Sequence, residues 1–331
     1  MISTQGSSQS FRIAQQERAS GRFRRIGQGF CGSVWAAENG TVAMKREDGG
    51  PGRSLANDFK MHQLVLEMAL IMNTEVCVPR WPMFFSHDHS WWDFQLSRFP
   101  PLYTPCNVLC SERIPPLSSE IRNRIIDRFC PSASIAIIKG NDADRDCLVR
   151  LYLGRRKIQN EARRGPTFFS LRNYPLHLNQ AEDLGLPIHL YAQEMAEMLA
   201  IMHWAAKIDA NDVEFVLGGV RMPTDKTCRQ YEHSFLGTHS LWILDFDCCK
   251  PISLDDSGIE QAARAFLRND PYFPRPTQKE HPSDHTLWAE FSSYYLEQSR
   301  RVIAVFNDCP LDMPNRFIAR VIQLHQKGTR P

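Results

Sequence analysis

The stretch Arg24-Arg25-Ile26-Gly27-Gln28-Gly29-Phe30-Cys31-Gly32-Ser33-Val34-Trp35, with Val42-Ala43-Met44-Lys45 shortly after it, decides how the rest of the chain is interpreted. Its three glycines have the spacing G-x-G-x-x-G, and a valine follows two places after the last one. Glycine tolerates positive φ in a tight turn and brings no Cβ near a ligand. The pattern therefore predicts two strands joined by a glycine turn, and a third strand that carries Lys45.

These residue types suit a nucleotide. Backbone at Gly27, Gly29 and Gly32 can approach phosphate oxygens, while Val34 covers the base and Lys45 reaches the α- and β-phosphates. The alternative is an ordinary β-hairpin with a glycine tip and a surface lysine, since short motifs also arise by chance. The rest of the chain has to decide between the two.

The stretch resembles the first lobe of the protein-kinase-like superfamily. The resemblance implies an α+β, two-lobed protein-kinase-like fold with ATP and Mg²⁺ as cofactors. Residues 22–116 would form a small β-rich lobe with one helix, and residues 117–331 a larger, mainly helical lobe with a β-hairpin insertion. Residues 1–21 are rich in Ser and Gln, lack an apolar core and predict a disordered tail.

A narrower resemblance is to a fungal family of uncharacterised proteins known as "zinc finger protein-like". It covers roughly residues 22–325 and brings no established activity. The segments that carry it are the glycine stretch, Met61-His62-Gln63, Met202-His203-Trp204 and Asp209-Ala210-Asn211-Asp212-Val213-Glu214-Phe215-Val216-Leu217.

A helix is predicted to begin after Ser54, a favoured N-cap residue, because apolar side chains follow at helical spacing. The preceding Gly49-Gly50-Pro51-Gly52 predicts a loop. In the superfamily, a carboxylate on this helix holds the strand lysine, which makes Asp58 the expected partner of Lys45. Glu67 projects from the opposite face. Asp58 is one methylene shorter than the usual glutamate, which leaves the ion pair in question.

Residues 106–114 predict a strand that ends at two prolines, after an irregular excursion over residues 79–105. By resemblance it leads into the hinge, where the backbone of Glu112 and Ile114 would bind adenine. Residues 118–129 predict an amphipathic helix. Residues 135–138 and 147–153 flank Lys139-Gly140-Asn141-Asp142, and this pattern predicts the inserted hairpin.

A regular helix is predicted over residues 188–206, and it leads into Lys207-Ile208-Asp209. The resemblance gives Asp209 the role of the catalytic aspartate, which accepts the proton of the acceptor hydroxyl. Glu214 takes the place of a metal-binding asparagine. Lys207 and Ile208 replace the usual histidine and arginine.

Residues 241–247, Leu-Trp-Ile-Leu-Asp-Phe-Asp, form an apolar strand that ends in two acids. Asp245 matches the metal-binding aspartate of the superfamily, and Asp247 replaces a glycine. Residues two apart in extended chain point to one side, so both carboxylates can face one cation. With Glu214 they form the predicted Mg²⁺ site, because Mg²⁺ takes few protein oxygens besides water and phosphate. The alternative is a strand end with solvated acids.

Composition narrows the class of protein. The 331 residues carry a net charge of +2, which gives no reason to expect nucleic acid as the main partner. No apolar run is long enough for a bilayer, so an intracellular protein, cytoplasmic or nuclear, is expected. Ten cysteines without a secretion signal favour reduced thiols. The basic residues 155–164 predict a solvated face.

Three functions remain open at this point. The first is an ATP- and Mg²⁺-dependent phosphotransferase acting on an unknown small molecule, with Asp209 as base. The second is a catalytically inactive, pseudokinase-like scaffold that works through a protein partner. The third and weakest is zinc-dependent nucleic-acid binding, since no second Cys or His pair completes the four ligands of a zinc site.

Overall fold

The structure is a computed structural model that describes residues 21–158, 169–221, 228–276 and 281–328. The predicted tail, except Gly21, lies outside the described residues, as does the second half of the basic stretch 155–164. Within the described part, Arg156 is paired with Glu182 and Asp284. The solvated face predicted for this stretch is therefore wrong at Arg156.

The first sheet has the strand order β1-β2-β3-β5-β4, and every neighbouring pair in it is antiparallel. Its strands are β1 (Phe23–Gln28), β2 (Ser33–Ala37), β3 (Val42–Arg46), β4 (Met83–Phe85) and β5 (Val108–Glu112). The glycine turn joins β1 to β2, as predicted. Lys45 on β3 pairs with Val34 on β2 and with Leu109 on β5.

The outer face of this sheet packs against the irregular excursion, which contains the short helix α2 (Trp91–Gln95). The buried guanidinium of Arg46 lies over the rings of Trp92, Phe99 and Tyr103, 4.8 to 5.1 Å from their centroids. Such cation–π contacts gain strength when they are removed from water. This cluster fixes the outer side of β3 and leaves the inner side for Lys45.

Helix α1 (Leu55–Met72) begins where the sequence predicts. The Ser54 side chain accepts a hydrogen bond from the Asn57 N–H, which satisfies one of the free donors of the first turn. Asp58 is buried on the inner face and Glu67 is exposed. Residues 73 and 74 then end the helix, with Asn73 at a φ of 53°.

The second half of the chain contains a five-stranded sheet of order β7-β6-β8-β10-β9. Its strands are β6 (Val149–Tyr152), β7 (Tyr174–His177), β8 (Glu214–Gly218), β9 (Tyr231–His233) and β10 (Gly237–Leu244). Strand β6 runs parallel to β7 and antiparallel to β8. The predicted hairpin over residues 135–153 is therefore wrong. Residues 119–129 form helix α3 (Ser119–Phe129), and the first arm of that hairpin is helix α4 (Ile135–Lys139). Strand β6 takes its partners from distant parts of the chain, which local sequence does not reveal.

Helices cover this sheet and bury the largest core. They are α5 (Leu178–Asp183), α6 (Ile188–Ala200), α7 (Asp256–Arg268), α8 (Pro282–Phe306) and α9 (Met313–Gln326). Helix α6 continues as a wider π-helical turn, Ile201–Ala205, which contains the fully buried His203. Burial lowers the pKa of His203 to about 3, so the imidazole is a neutral core side chain.

The predicted α+β class is confirmed, since two mixed or antiparallel sheets alternate with helices. Among the described helices, none is long and apolar enough to cross a membrane. Cys77 and Cys228 form a disulfide, which contradicts the prediction of reduced thiols for this pair. Cys77 pairs with Trp242 of β10, and Cys228 lies shortly before β9. The second sheet thus brings together two cysteines that are 151 positions apart.

Candidate functional site

A cavity of about 330 Å³ lies between the glycine turn of the first sheet and two acidic loops of the second half. The acidic loops are residues 209–214, before β8, and residues 245–248, after β10. All predicted site residues except Asp209 line this cavity: Gly27, Gly29, Gly32, Val34, Lys45, Asp58, Glu112, Ile114, Glu214, Asp245 and Asp247.

The glycine turn is held closed by its own backbone and by the loop that follows β3. The Gly29 N–H donates to the Gly32 carbonyl at 2.9 Å. Gly32 has a φ of 153°, and a Cβ there would lie 2.0 Å from the Arg46 carbonyl oxygen. No other residue fits this position. At Gly29 a Cβ would meet nothing within 4 Å, so the turn leaves open space on its cavity side.

Lys45 forms the centre of the site. Its Nζ donates to Asp58 Oδ2 at 2.7 Å and to Asp245 Oδ1 at 2.7 Å. Burial would lower the pKa of Lys45, but the charges of Asp245 and Asp58 outweigh it and hold this pKa well above its usual value. The other oxygen of Asp58 accepts the Phe246 N–H at 3.2 Å. The shorter aspartate therefore reaches both the lysine and the backbone of the acidic loop.

The loop after β10 directs two carboxylates into the cavity. Asp245 has a φ of 67°, and this left-handed turn sends Phe246 into the core while Asp247 returns to the cavity. Burial would raise the pKa of Asp245, but the Lys45 ammonium brings it below its ordinary value. Burial and the neighbouring charge of Asp245 raise the pKa of Asp247. The raised pKa of Asp247 reflects burial beside a second carboxylate, whereas the lowered pKa of Asp245 reflects its contact with Lys45.

Arg53 contacts three side chains of the two acidic loops. Its Nη1 lies 2.8 Å from Asp212 Oδ2, 2.8 Å from Asp247 Oδ1 and 2.5 Å from Cys248 Sγ. Burial opposes the charge of Arg53, but the hydrogen bond to Asp212 and the charge of Asp247 raise its pKa. On the other side, the guanidinium carbon lies 5.4 Å from the centroid of the Phe30 ring at the tip of the glycine turn.

The structure does not place Asp209 in the cavity wall. Its Oδ1 accepts the backbone N–H groups of Lys250 at 2.9 Å and Asn211 at 3.2 Å, and Gln261 Nε2 donates to Oδ2 at 2.8 Å. Only 4% of the residue is exposed. These contacts fix the path of both acidic loops, and the carboxylates that reach the cavity from residues 209–214 are those of Asp212 and Glu214.

Glu214 lies in the cavity wall, and its carboxylate is occupied by Arg150, which donates to it through Nη2. Burial raises the pKa of Glu214 to about 7, while the charge of Arg150 acts in the opposite direction. A guanidinium thus occupies one oxygen of Glu214, and the predicted role of this residue as a metal ligand stays a prediction. Among the described residues, the group whose ligand atoms lie within 4.8 Å of one another is Asp212, Asp247 and Cys248.

At the outer end, apolar side chains flank the cavity from both halves of the molecule: Ile26, Val34, Ala43, Ile114, Leu148 and Leu244. The Glu112 carboxylate is not available to a ligand, because Arg221 donates to both of its oxygens at 2.7 and 2.8 Å. The Glu112 N–H donates to the Arg80 carbonyl at 2.8 Å. The backbone N–H groups of Glu112 and Arg113 are thus already paired, with the carbonyls of Arg80 and Thr41, and the predicted adenine contact cannot use them.

Sequence reasoning missed Arg53, Asp212 and Arg150. Asp212 had a signal, since it lies in the same acid-rich loop as Asp209, three positions later. Arg53 directly precedes the N-cap of α1 and thus begins at the mouth of the cavity. Arg150 had no local signal, because it belongs to the strand for which the wrong partner was predicted.

Residues 241–307 match a family model, DUF3669, described as "Zinc finger protein". The match covers the second half of β10, the acidic loop after it and helices α7 and α8, and it agrees with the narrow resemblance over that part. No curated protein matches the chain.

The described residues do not supply a zinc-finger ligand set. The group Asp212, Asp247 and Cys248 contains a single sulfur, whereas structural zinc sites take four Cys or His ligands. Burial and the charge of Asp247 raise the pKa of Cys248 to about 12, which keeps the thiol protonated. One sulfur beside two carboxylates is not the ligand set of a zinc finger.

Proposed function

We propose that the protein has a two-lobed protein-kinase-like fold, binds ATP with one magnesium ion in this cavity, and transfers the terminal phosphate to a hydroxyl of a small molecule. The observation that carries the proposal is Lys45, which bridges Asp58 on α1 and Asp245 after β10 beneath the glycine turn. A buried lysine with two carboxylates is fixed in position, and its remaining N–H can bind a phosphate oxygen.

The residues present fit ATP. The apolar outer walls suit an adenine ring, and the open space beside Gly29 suits phosphates that pass under the glycine turn. A cavity of about 330 Å³ is within the range of small-ligand sites. Ser111 and Ile114 line the same end, where the edge of the base would be recognised.

The acids also fit one divalent cation. Mg²⁺ is commonly held by one or two carboxylates together with phosphates and water, and Asp245 and Asp247 face the cavity with mutually perturbed pKa values. When bound there, the ion would neutralise charge on the phosphates. Glu214 is left out of this site, because it is already paired with Arg150.

The proposed general base for the acceptor hydroxyl is Asp212. Its carboxylate is 46% exposed and lines the same cavity as Lys45. An ionised carboxylate at this place can accept the proton of an acceptor hydroxyl as phosphate is transferred. Asp209 cannot act directly, because its three hydrogen bonds hold it away from the cavity.

A catalytically inactive scaffold is the second candidate. It is favoured by a specific observation: Asp209, which has the spacing of the catalytic aspartate, serves only to hold Lys250, Asn211 and Gln261. In that case ATP would bind and stabilise the fold, and a protein partner would recognise the ATP-bound form.

Calorimetry with ATP and Mg²⁺ tests ATP binding in the cavity, which both candidate functions require. Lys45→Met removes a charge-assisted contact worth about 1.5–3 kcal/mol, so the ATP affinity is expected to fall by roughly ten- to a hundredfold. Lys60→Met, an exposed lysine on α1, is the matched control and should bind like the wild type. Circular dichroism and thermal unfolding establish that both variants are folded.

An unchanged Kd in folded Lys45→Met would contradict the proposed site. ATP binding without hydrolysis above the rate of the buffer would reject the phosphotransferase and leave the scaffold. Absence of ATP binding to the wild type would reject both.

A further inference from the structure

Arg53 occupies the place where a metal ion would bind the two acidic loops. Asp212, Asp247 and Cys248 bring one ligand atom each to within 4.8 Å of one another, which is the arrangement of a small cation site. The Nη1 atom of Arg53 contacts all three of these atoms. A divalent ion held by all three of these atoms would lie where Nη1 lies, because that nitrogen is within 2.8 Å of each of them, so the ion would have to displace it.

The loop that carries Arg53 is fixed to the glycine turn. The Gly49 N–H donates to the Cys31 carbonyl at 3.1 Å, and the Gly50 N–H donates to the Phe30 carbonyl at 2.8 Å. A Cβ on Gly49 would lie 2.3 Å from the Phe30 carbonyl oxygen, so glycine is required for this approach. The position of Arg53 is therefore set from the first sheet, and it does not depend on the acids alone.

The guanidinium keeps donors for a ligand. Every ion pair of Arg53 within the described residues uses Nη1, and no described side chain accepts from Nε or Nη2. Arg53 lines the cavity and its side chain is 22% exposed. Guanidinium groups bind phosphate oxygens through two parallel N–H bonds, so the free edge of Arg53 suits the terminal phosphate of a nucleotide.

We propose that Arg53 is the second cation of this cavity: it keeps a divalent ion out of the Asp212–Asp247–Cys248 group and binds the terminal phosphate in place of that ion. The phosphate part of this inference rests on the function proposed above, whereas the exclusion of the ion does not. The cavity then uses a single exchangeable divalent cation, the ion proposed above for Asp245 and Asp247, and Arg53 supplies the remaining positive charge.

The exclusion is tested with Mn²⁺ alone, without nucleotide, by calorimetry and by electron paramagnetic resonance of the free ion. Arg53→Ala is expected to bind Mn²⁺ at least about tenfold more tightly than the wild type, because two carboxylates lose their cation. Adding Asp247→Asn to Arg53→Ala should abolish this gain. Arg53→Lys keeps a positive charge and should bind Mn²⁺ as weakly as the wild type.

Arg25→Ala, an exposed arginine on β1 of the same sheet, is the matched control and should not change Mn²⁺ binding. Equal Mn²⁺ affinity of the wild type and folded Arg53→Ala would overturn the exclusion, as would a gain that survives Asp247→Asn. If Arg53→Ala is unfolded, Arg53→Gln provides the same neutral comparison with less loss of volume.

ATP titrations in EDTA test the phosphate contact separately. Arg53→Ala is expected to lower the metal-free ATP affinity by about tenfold, the loss of one charge-assisted contact. Unchanged affinity would overturn the phosphate contact. If the wild type binds no ATP, the proposed nucleotide function and this contact fail together, while the Mn²⁺ result still decides whether Arg53 acts as the built-in cation.

Discussion

The two acidic loops of the cavity differ in how they use their aspartates. In the loop after β10, the residue at the expected spacing, Asp245, faces the cavity and binds Lys45. In the loop before β8, the residue at the expected spacing, Asp209, binds backbone and Gln261, while Asp212 reaches the cavity. Spacing along the chain thus located both loops, but in only one of them does the aspartate at the expected spacing face the cavity.

Backbone conformation explains the difference. Asp245 follows directly on the last residue of β10, so a single left-handed residue determines where its side chain points. The other loop contains left-handed backbone at Lys207, Ala210 and Asp212, with φ of 54°, 51° and 64°. Each such residue changes the path of the backbone, and none of them is a glycine that would have revealed the turn.

The largest expected effect is a difference in the rate of ATP hydrolysis between variants of Asp212 and Asp209. Asp212→Asn should reduce ATP hydrolysis by about a hundred- to ten-thousandfold, the range of general acid–base catalysis, and should change ATP affinity little. Asp209→Asn should change turnover by less than about tenfold, because Asp209 is a positioning residue. Hydrolysis under saturating ATP and a calorimetric Kd for each variant provide the measurement.

The opposite order of the two hydrolysis rates would contradict the roles assigned to Asp209 and Asp212. If Asp209→Asn is inactive while Asp212→Asn keeps its rate, the catalytic carboxylate is the one at the expected spacing. In that case the segment around Asp209 must rearrange when ligand binds.

The sequence was informative wherever function depends on neighbouring residues. The glycine turn and the start of α1 at Ser54 follow from local turn and cap chemistry, and Lys45 and Asp58 lie on the elements so placed. The sequence was uninformative where strands pair across long distances. The partners of β6, the disulfide of Cys77 and the ion pair of Arg150 all depend on the second sheet.

The next-largest effect is on stability, and here Asp209→Asn should have a greater effect than Asp212→Asn. Asp209→Asn should lower the free energy of unfolding by about 1–3 kcal/mol, because a buried acceptor of three hydrogen bonds loses one oxygen. Asp212→Asn should lower it by less than about 1 kcal/mol, since its ion pair with Arg53 is partly exposed. Urea unfolding followed by circular dichroism measures both values. Equal losses would show that the two aspartates have the same structural role.

The smallest expected effect is in the pH dependence of stability. It differs between Glu214, at the end of the first acidic loop, and Asp245, in the second. Burial raises the pKa of Glu214 from 4.5 to about 7, so the folded state binds more protons than the unfolded state between these values. Stability due to Glu214 therefore falls as the pH rises from 4.5 to 7. For Asp245 the pKa lies below 3.8, so its contribution is present above that value and is lost as the pH falls below it.

Glu214→Gln removes the titrating group but keeps its size and an acceptor for Arg150. We expect the variant to show a flatter stability profile between pH 5 and 7, by on the order of 1 kcal/mol, because the Arg150 ion pair offsets part of the burial effect. Glu67→Gln, an exposed glutamate on α1, is the control and should follow the wild-type profile. A wild-type profile that rises with pH across this window, and is flattened in the same way by Glu214→Gln, would mean that Arg150 outweighs burial. Glu214 would then be ionised at neutral pH, and both acidic loops would present permanent charge to the cavity.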